Sequence, residues 1–432
     1  MTTTLAASSA SSKTQPAANT LAIDFTEFKL GWRVVIVAMM GLAVNASASM
    51  LYAFGTLVIP LQRAFGWERG DLQSAVSFLF AGAIVSSQLV GWLNLRYGMK
   101  RVTVLSLLAL ALSFAAMTQL RSSIVGLYVG FFVLGIASLG TIHVTWTQLV
   151  NLWFERNRGL ALALVLSGTG LTAALLPSGV AWAVGQWGWQ AAFLLLAALP
   201  LVLVLPLALR WMTVPQGAEP LPDGKRMASG VGQPAQSGLS FSAGVRSLKF
   251  WGLNLALSLV VASVVAMVSN TVPLLRDKGL SAVAASAVFG SFGLSLIGGR
   301  VLVGYLVDRI WAPGVAAVAL TLPAIGCLLL AITGPTETGM LVLATMLVGI
   351  GAGAEFDIAA YLMSRYFGMR DYGRLFGVHL GMITAASTLA PWLAGTLYKS
   401  TGSYTTMLTL CGSAFLAGAL MLLPLGRYPK FE

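Results

Sequence analysis

The sequence predicts an all-α membrane protein, with twelve transmembrane helices arranged as two parallel six-helix repeats. Three observations carry this. Of the 432 residues, 57% are hydrophobic and only 9% charged, where a soluble domain carries about 25% charged residues. Apolar runs long enough to cross a bilayer recur along the whole chain. One offset, 213 residues, brings the first half into register with the second.

Residues 1–28 open with a run of Ser, Thr, Ala and Gln without an apolar secretory core, and read as a disordered cytoplasmic tail. A first six-helix bundle follows over 29–211, with spans near 33–60, 73–95, 102–120, 123–150, 159–185 and 189–211. Residues 212–247, rich in Gly, Pro and Ser, read as a cytoplasmic linker loop. The second bundle occupies 248–426, with spans near 249–276, 281–308, 312–332, 338–364, 372–398 and 403–426. Residues 427–432 form a cytoplasmic C-terminal tail.

The net charge of +12 could suggest a nucleic-acid partner, but the cations sit in short clusters between apolar spans, as orientation signals do. The tails and even-numbered loops hold 19 Lys and Arg, the opposite side 6, and Arg300 lies inside a span, which accounts for all 26. The excess places both termini in the cytoplasm of a cell whose inner, or plasma, membrane holds the chain. The lipid bilayer is thus one expected partner and nucleic acid is not. The oligomeric state is open. Cys327 and Cys411 lie in apolar spans and imply no disulfide framework or metal site. The glycines at 349, 351 and 353 lack the Lys-Ser/Thr of a phosphate loop, so no nucleotide or other cofactor is expected.

The offset pairs Pro60 with Pro273, Gly91 with Gly304, Leu93 with Leu306, Arg96 with Arg309, Phe154 with Phe367 and Gly168 with Gly381. Six spans intervene, so both halves run the same way through the membrane. Parallel repeats of this kind describe the major facilitator fold. Gly91-Trp-Leu-Asn-Leu-Arg96-Tyr-Gly98-Met-Lys100-Arg101 resembles the major facilitator loop signature G-x-L-x-D-R-x-G-x-[RK]-[RK], with Leu95 where the acid belongs. The repeat counterpart, Asp308-Arg309, keeps the acid. The resemblance implies a gating role for Gly91, Arg96, Gly98, Arg101, Asp308 and Arg309, weakened by the apolar Leu95. Phe28-Lys29-Leu-Gly31-Trp32 and Trp153-Phe154-Glu-Arg156-Asn-Arg158-Gly-Leu-Ala161 resemble signatures of the monocarboxylate transporter and oxalate:formate antiporter families. Those families carry a carboxylate-binding arginine in helix 8, where Arg300 stands. They often carry a lysine in helix 1, and Tyr52-Ala-Phe-Gly55 has none.

Arg300 is the central candidate. An arginine at mid-span costs about 2.5–3.5 kcal/mol on insertion scales, and its planar fork can donate two parallel hydrogen bonds to a carboxylate. It lies eight residues before Asp308, so about 12 Å from the cytoplasmic end. Glu355 and Asp357 are expected at a similar level, in a helix running the same way. Burial and a neighbouring arginine pull a carboxyl in opposite directions, which suits one of the two to proton coupling. Two residues apart, they point about 200° from one another, so only one faces Arg300 squarely. His143 and His379 are the two histidines, and either could titrate near neutral pH or fill packing space. Asn45, Gln88 and Asn270 are further polar candidates for the cavity, as are the hydroxyls of Tyr52 and Tyr361. Ser87 joins them because the offset maps it onto Arg300.

These features predict a secondary transporter moving a small organic anion, foremost a monocarboxylate, by alternating access, with a proton as the cotransported partner. An organic-anion exchanger is the alternative, and a drug/proton efflux antiporter shares the fold without needing the arginine. A membrane receptor would not need the repeat. No nucleophile, base and orienter set suggests an enzyme.

Overall fold

The computed structural model describes residues 25–154, 157–213, 238–307, 309–334, 336–368 and 370–429. Most of the expected N-terminal tail, most of the linker, Asp308 and the end of the C-terminal tail lie outside them. Among the described residues the only β pairing is a single bridge between Gly238 and Gly368.

Among the described residues, ten helices are long and apolar enough to cross a membrane. They are accompanied by two broken segments. α1 (Phe25–Ala43) and α2 (Ala46–Phe65) form one span bent by 45° at Val44 and Asn45. α3 (Arg69–Tyr97) and α4 (Met99–Ala116) follow unbroken. The fourth expected span is built from two shorter pieces, α5 (Ile124–Ala137) and α6 (His143–Trp153), joined through a 3-10 turn at Leu139–Thr141. α7 (Arg158–Trp187) is continuous. α8 (Trp189–Ala198) passes through a π-helical turn, Leu199–Val204, into α9 (Leu205–Trp211). A short helix, α10 (Phe241–Arg246), lies within the stretch read as linker. The second half is regular: α11 (Leu248–Asp277), α12 (Ala282–Val307), α13 (Ala312–Ile332), α14 (Thr338–Phe367), α15 (Tyr372–Thr401) and α16 (Thr405–Leu422).

A break inside a membrane leaves backbone groups that need partners. Here the two breaks supply each other. The Asn45 side chain accepts from the Ser47 amide at 2.9 Å, capping α2, and donates to the Thr141 carbonyl at 2.9 Å. Trp146 Nε1 donates to the same carbonyl at 3.0 Å, and the Thr172 hydroxyl on α7 donates to Ala43 O at 2.7 Å. The breaks also divide the packing. The second half encloses one apolar core built around Phe250, Phe289, Phe292 and Phe415. The first half has two: one around Phe54, Phe131 and Phe193, and one around Trp146, Phe154 and Val165.

Within the second half, α12 and α14 touch backbone to backbone. A Cβ on Gly299 would stand 2.7 Å from the Ile350 Cα, and one on Gly353 would stand 3.0 Å from the Arg300 amide nitrogen. The two halves meet in the same way at the loop end, opposite the chain termini. A Cβ on Gly70 of α3 would lie 2.5 Å from Gly395 O of α15, and one on Gly55 of α2 would lie 3.1 Å from Ser269 O of α11. Charges reinforce this seam. Arg69 Nη1 donates to Asp277 Oδ1 at 2.6 Å and to the Tyr398 hydroxyl at 3.0 Å, and Lys399 Nζ pairs with Glu68 at 2.9 Å. Gln73 donates across it to Ser269 O at 2.9 Å. At the opposite end each half is tied to itself, by Lys100 to Leu209 O in the first and Lys249 to Leu425 O in the second.

The Arg69 and Asp277 side chains are 17% and 36% exposed, and such pairs contribute about 0.2–1 kcal/mol. Adding side-chain bulk to a tight backbone contact costs about 1–3 kcal/mol. Gly70→Val is therefore expected to lower the thermal midpoint of the detergent-purified protein by more than Arg69→Gln does. The opposite ranking would contradict this account of the seam.

Candidate functional site

The close approach of α12 and α14 fixes the site. With Gly353 against Leu296 and Arg300, the next turn of α14 brings Glu355 and Asp357 to the guanidinium. Asp357 Oδ2 lies 3.6 Å from Arg300 Nε, and the side chains are 10% and 32% exposed. That is charge contact without a hydrogen bond. Arg300 Nε and Nη1 are buried without a hydrogen-bond partner, as is Glu355 Oε2. Buried polar atoms left in this condition are rare in folded proteins.

The first half reaches the same centre. The charge of Arg300 acts on Tyr52 of α2 and on His143, the first residue of α6, as well as on Glu355 and Asp357. The Tyr52 ring lies 6.0 Å from that of Phe292, two turns before Arg300 on α12. His143 and its neighbour Val144 are exposed, although they begin a helix at the mid-chain break. Arg300, Asp357, Glu355, Tyr52 and His143 thus come together from four helices.

Other expected site residues stand elsewhere. Asn45 is 1% exposed and holds the two helix breaks together. Asn270 is fully buried, donating to Ala266 O at 2.9 Å within its own helix, although its Oδ1 has no partner. His379 is 1% exposed, with Nδ1 2.9 Å from Asn254 Oδ1, so it ties α15 to α11 inside the second half. In this arrangement all three are buried and take part in hydrogen bonds within their own half. Ser87 and Gln88 are exposed, but the Ser87 hydroxyl turns back to Ile84 O at 2.7 Å. Tyr361 is half-buried with the Arg365 guanidinium 5.8 Å from its ring centre.

Of the residues given a gating role, Gly98 sits at φ +82°, the left-handed region that favours glycine, and turns the chain from α3 into α4. Gly91 has open space around it and Arg101 is exposed. Arg96 lies over the rings of Trp92 and Tyr97, and Arg309 lies 3.6 Å from the ring centre of Tyr305. Both contacts are local, as befits the end where each half is tied to itself. Sequence reasoning counted Arg69 and Lys399 only among the six basic residues of one side and did not single out Asp277 or Glu68, although the four form the ionic part of the seam. The signal was faint: acids and bases near the ends of spans 2, 7 and 11 on one side. No group of His, Cys, Asp and Glu that could hold a metal occurs among the described residues.

Asn45→Ala removes a helix cap and a buried bond to Thr141, together costing about 1–3 kcal/mol. A lowered thermal midpoint with unchanged substrate affinity is expected. Loss of affinity at unchanged stability would return Asn45 to the binding site.

Residues 37–346 match the profile of the Major Facilitator Superfamily. The chain is 25% identical to human monocarboxylate transporter 11 over 405 residues, covering 92% of this chain and 83% of that protein. It is likewise 25% identical to monocarboxylate transporter 13 of Bos taurus, covering 93% and 91%. The fold is similar to the crystal structure of a D-xylose-proton symporter, with a TM-score of 0.71 at 15% identity, covering 92% of this chain and 98% of that one. With a family match over most of its length, a multi-pass helical architecture and a charged centre between two repeats, this chain belongs to the Major Facilitator Superfamily of membrane transporters.

Proposed function

We propose that the protein carries small organic anions, foremost monocarboxylates, across the plasma membrane by alternating access, as a proton symporter with both termini in the cytoplasm. One observation carries the reading: Arg300 has two buried donor nitrogens without hydrogen-bond partners, within electrostatic range of Tyr52 and His143 of the first half. A carboxylate is the ligand whose geometry answers a guanidinium, through two parallel charge-assisted bonds. The names of the similar monocarboxylate transporters support the same substrate class.

The two acids take different parts. Asp357, 3.6 Å from Arg300, is the resting counter-ion. A substrate carboxylate displaces it from the guanidinium, and the displaced charge must then be neutralised or hydrated, because an unpaired buried ion costs several kcal/mol. Glu355, with a buried oxygen lacking a donor, is the proton site. Tyr52 and His143 face the solute from the first half. When that half swings, the solute loses one wall and gains access to the other side.

Purified protein in liposomes, offered labelled pyruvate, lactate and benzoate with and without an inward proton gradient, tests this. Arg300→Gln should depress uptake by about 30-fold or more, since losing one partner of a buried charge pair costs about 2–5 kcal/mol. Arg300→Lys should recover only part of it. Undiminished uptake by Arg300→Gln would remove the anion site. Glu355→Gln should abolish gradient-driven accumulation and keep carboxylate exchange. If it still accumulates substrate, Glu355 is not the proton site. Wild-type uptake that ignores the gradient and requires an anion on the far side would identify an exchanger.

A further inference from the structure

A crevice of about 250 Å³ lies between the halves at the loop end, bordered by α2, α7, α11 and α12. Its wall carries Arg63 and Arg276 and no acid. These two arginines are 213 residues apart, so they are equivalent positions of the internal repeat, and both line this one crevice. Pro60, another lining residue, has its repeat partner Pro273 packed against Gly55 at the crevice floor.

The charges around the crevice are already assigned. Asp277 is held by Arg69 and Tyr398, Glu68 and Asp71 by Lys399, and Lys278 donates to Thr333 O at 2.7 Å. Arg276 spends one nitrogen on Leu280 O at 2.8 Å. Among the described residues neither Arg63 nor Arg276 has an acidic partner. Two uncompensated cations share one cleft on the side that holds only 6 of the 26 basic residues.

The crevice also points at the centre. Gly55, Ile59 and Arg63 lie four residues apart along one face of α2, with Tyr52 a turn earlier on that face. Arg63 is thus about 16 Å along the helix from Tyr52, which lies within reach of the Arg300 charge. Between them the halves touch. The Thr56 and Ser286 hydroxyls meet at 3.4 Å, and the Gly55 backbone abuts Ser269 O.

We propose that this crevice is an anion-collecting site at the mouth of the translocation path, where Arg63 and Arg276 hold a small carboxylate before the seam opens and passes it to Arg300. The volume suits a short carboxylate with a few waters, a water taking about 30 Å³. Charges of one sign lining a cleft concentrate the opposite ion and raise its capture rate. The proposal rests on the anion-transport reading, and two measurements separate them.

The first needs no transported substrate. Ile59→Cys places a thiol in the crevice, while Cys327 and Cys411 are buried. Its labelling rate with an anionic methanethiosulfonate, relative to a cationic one, should fall about tenfold when Arg63→Gln and Arg276→Gln are added, by loss of the local positive field. An unchanged ratio overturns the proposal. The second is sided transport of pyruvate and benzoate. The double variant should raise KM about tenfold from the loop-end face only, with maximal rate retained, because capture is weakened and the central site is not. Equal KM changes from both faces, or none, would also overturn it. If wild-type protein carries no carboxylate, the transport reading fails, while the labelling ratio still decides whether the crevice collects anions.

Discussion

A guanidinium withdrawn from water must be answered by other groups, and most of this architecture can be understood from how Arg300 is answered. Its position is set by glycine. Because Gly299 and Gly353 carry no Cβ, α12 and α14 approach until their backbones touch, and the acids of α14 come within range of the charge. The contact is left incomplete: Asp357 stands 3.6 Å away, and two guanidinium nitrogens have no acceptor. A fully satisfied buried pair would be a static strut. An under-satisfied one retains free energy that a ligand can release.

The two halves are repeats in sequence and differ in build. The second half has unbroken helices around one core. The first is jointed, at Asn45 in the first span, at Ser138–Ile142 in the fourth and at the π-turn in the sixth, and its core is split in two. The joint is held by a few hydrogen bonds, each contributing about 0.5–1.5 kcal/mol net. The seam at the loop end combines partly exposed ion pairs, each weak, with glycine-to-glycine packing. No single contact there is strong enough to lock it. A transporter needs two states within a few kcal/mol of one another, and a seam of many modest contacts meets that requirement.

Much of this was legible in the sequence. The spans, the repeat and the shared level of Arg300, Glu355 and Asp357 followed from hydropathy and from counting residues along helices. The breaks did not. Nothing near Asn45 or Thr141 marks a helix end strongly, and the bond that stabilises both joins residues 96 apart. His379 and Asn270 read as cavity candidates because polarity in a span is visible from sequence, while the direction it faces is not. His379 finds its partner 125 residues away, in Asn254. Arg63 and Arg276 obey the same offset as the prolines and glycines, yet as charges near the ends of spans they looked like orientation signals. Only their convergence on one crevice separates them from that background.

Charge accounting constrains the central site further. Whatever protonation state Glu355 and Asp357 hold in the empty site, one arriving carboxylate lowers its net charge by one. In a medium of low effective dielectric that change is expensive, and one proton restores the balance. If Arg300 receives the anion as proposed, the cheapest loaded state carries one proton for each carboxylate, and the complex that crosses adds no net charge. Loaded and empty forms then carry the same charge, a full cycle moves no net charge across the membrane, and the proton and carboxylate gradients alone set the direction of transport. The two arginines at the crevice do not alter this balance, because they remain at the mouth and act on how often an anion arrives, while Arg300 and its acids govern what crosses.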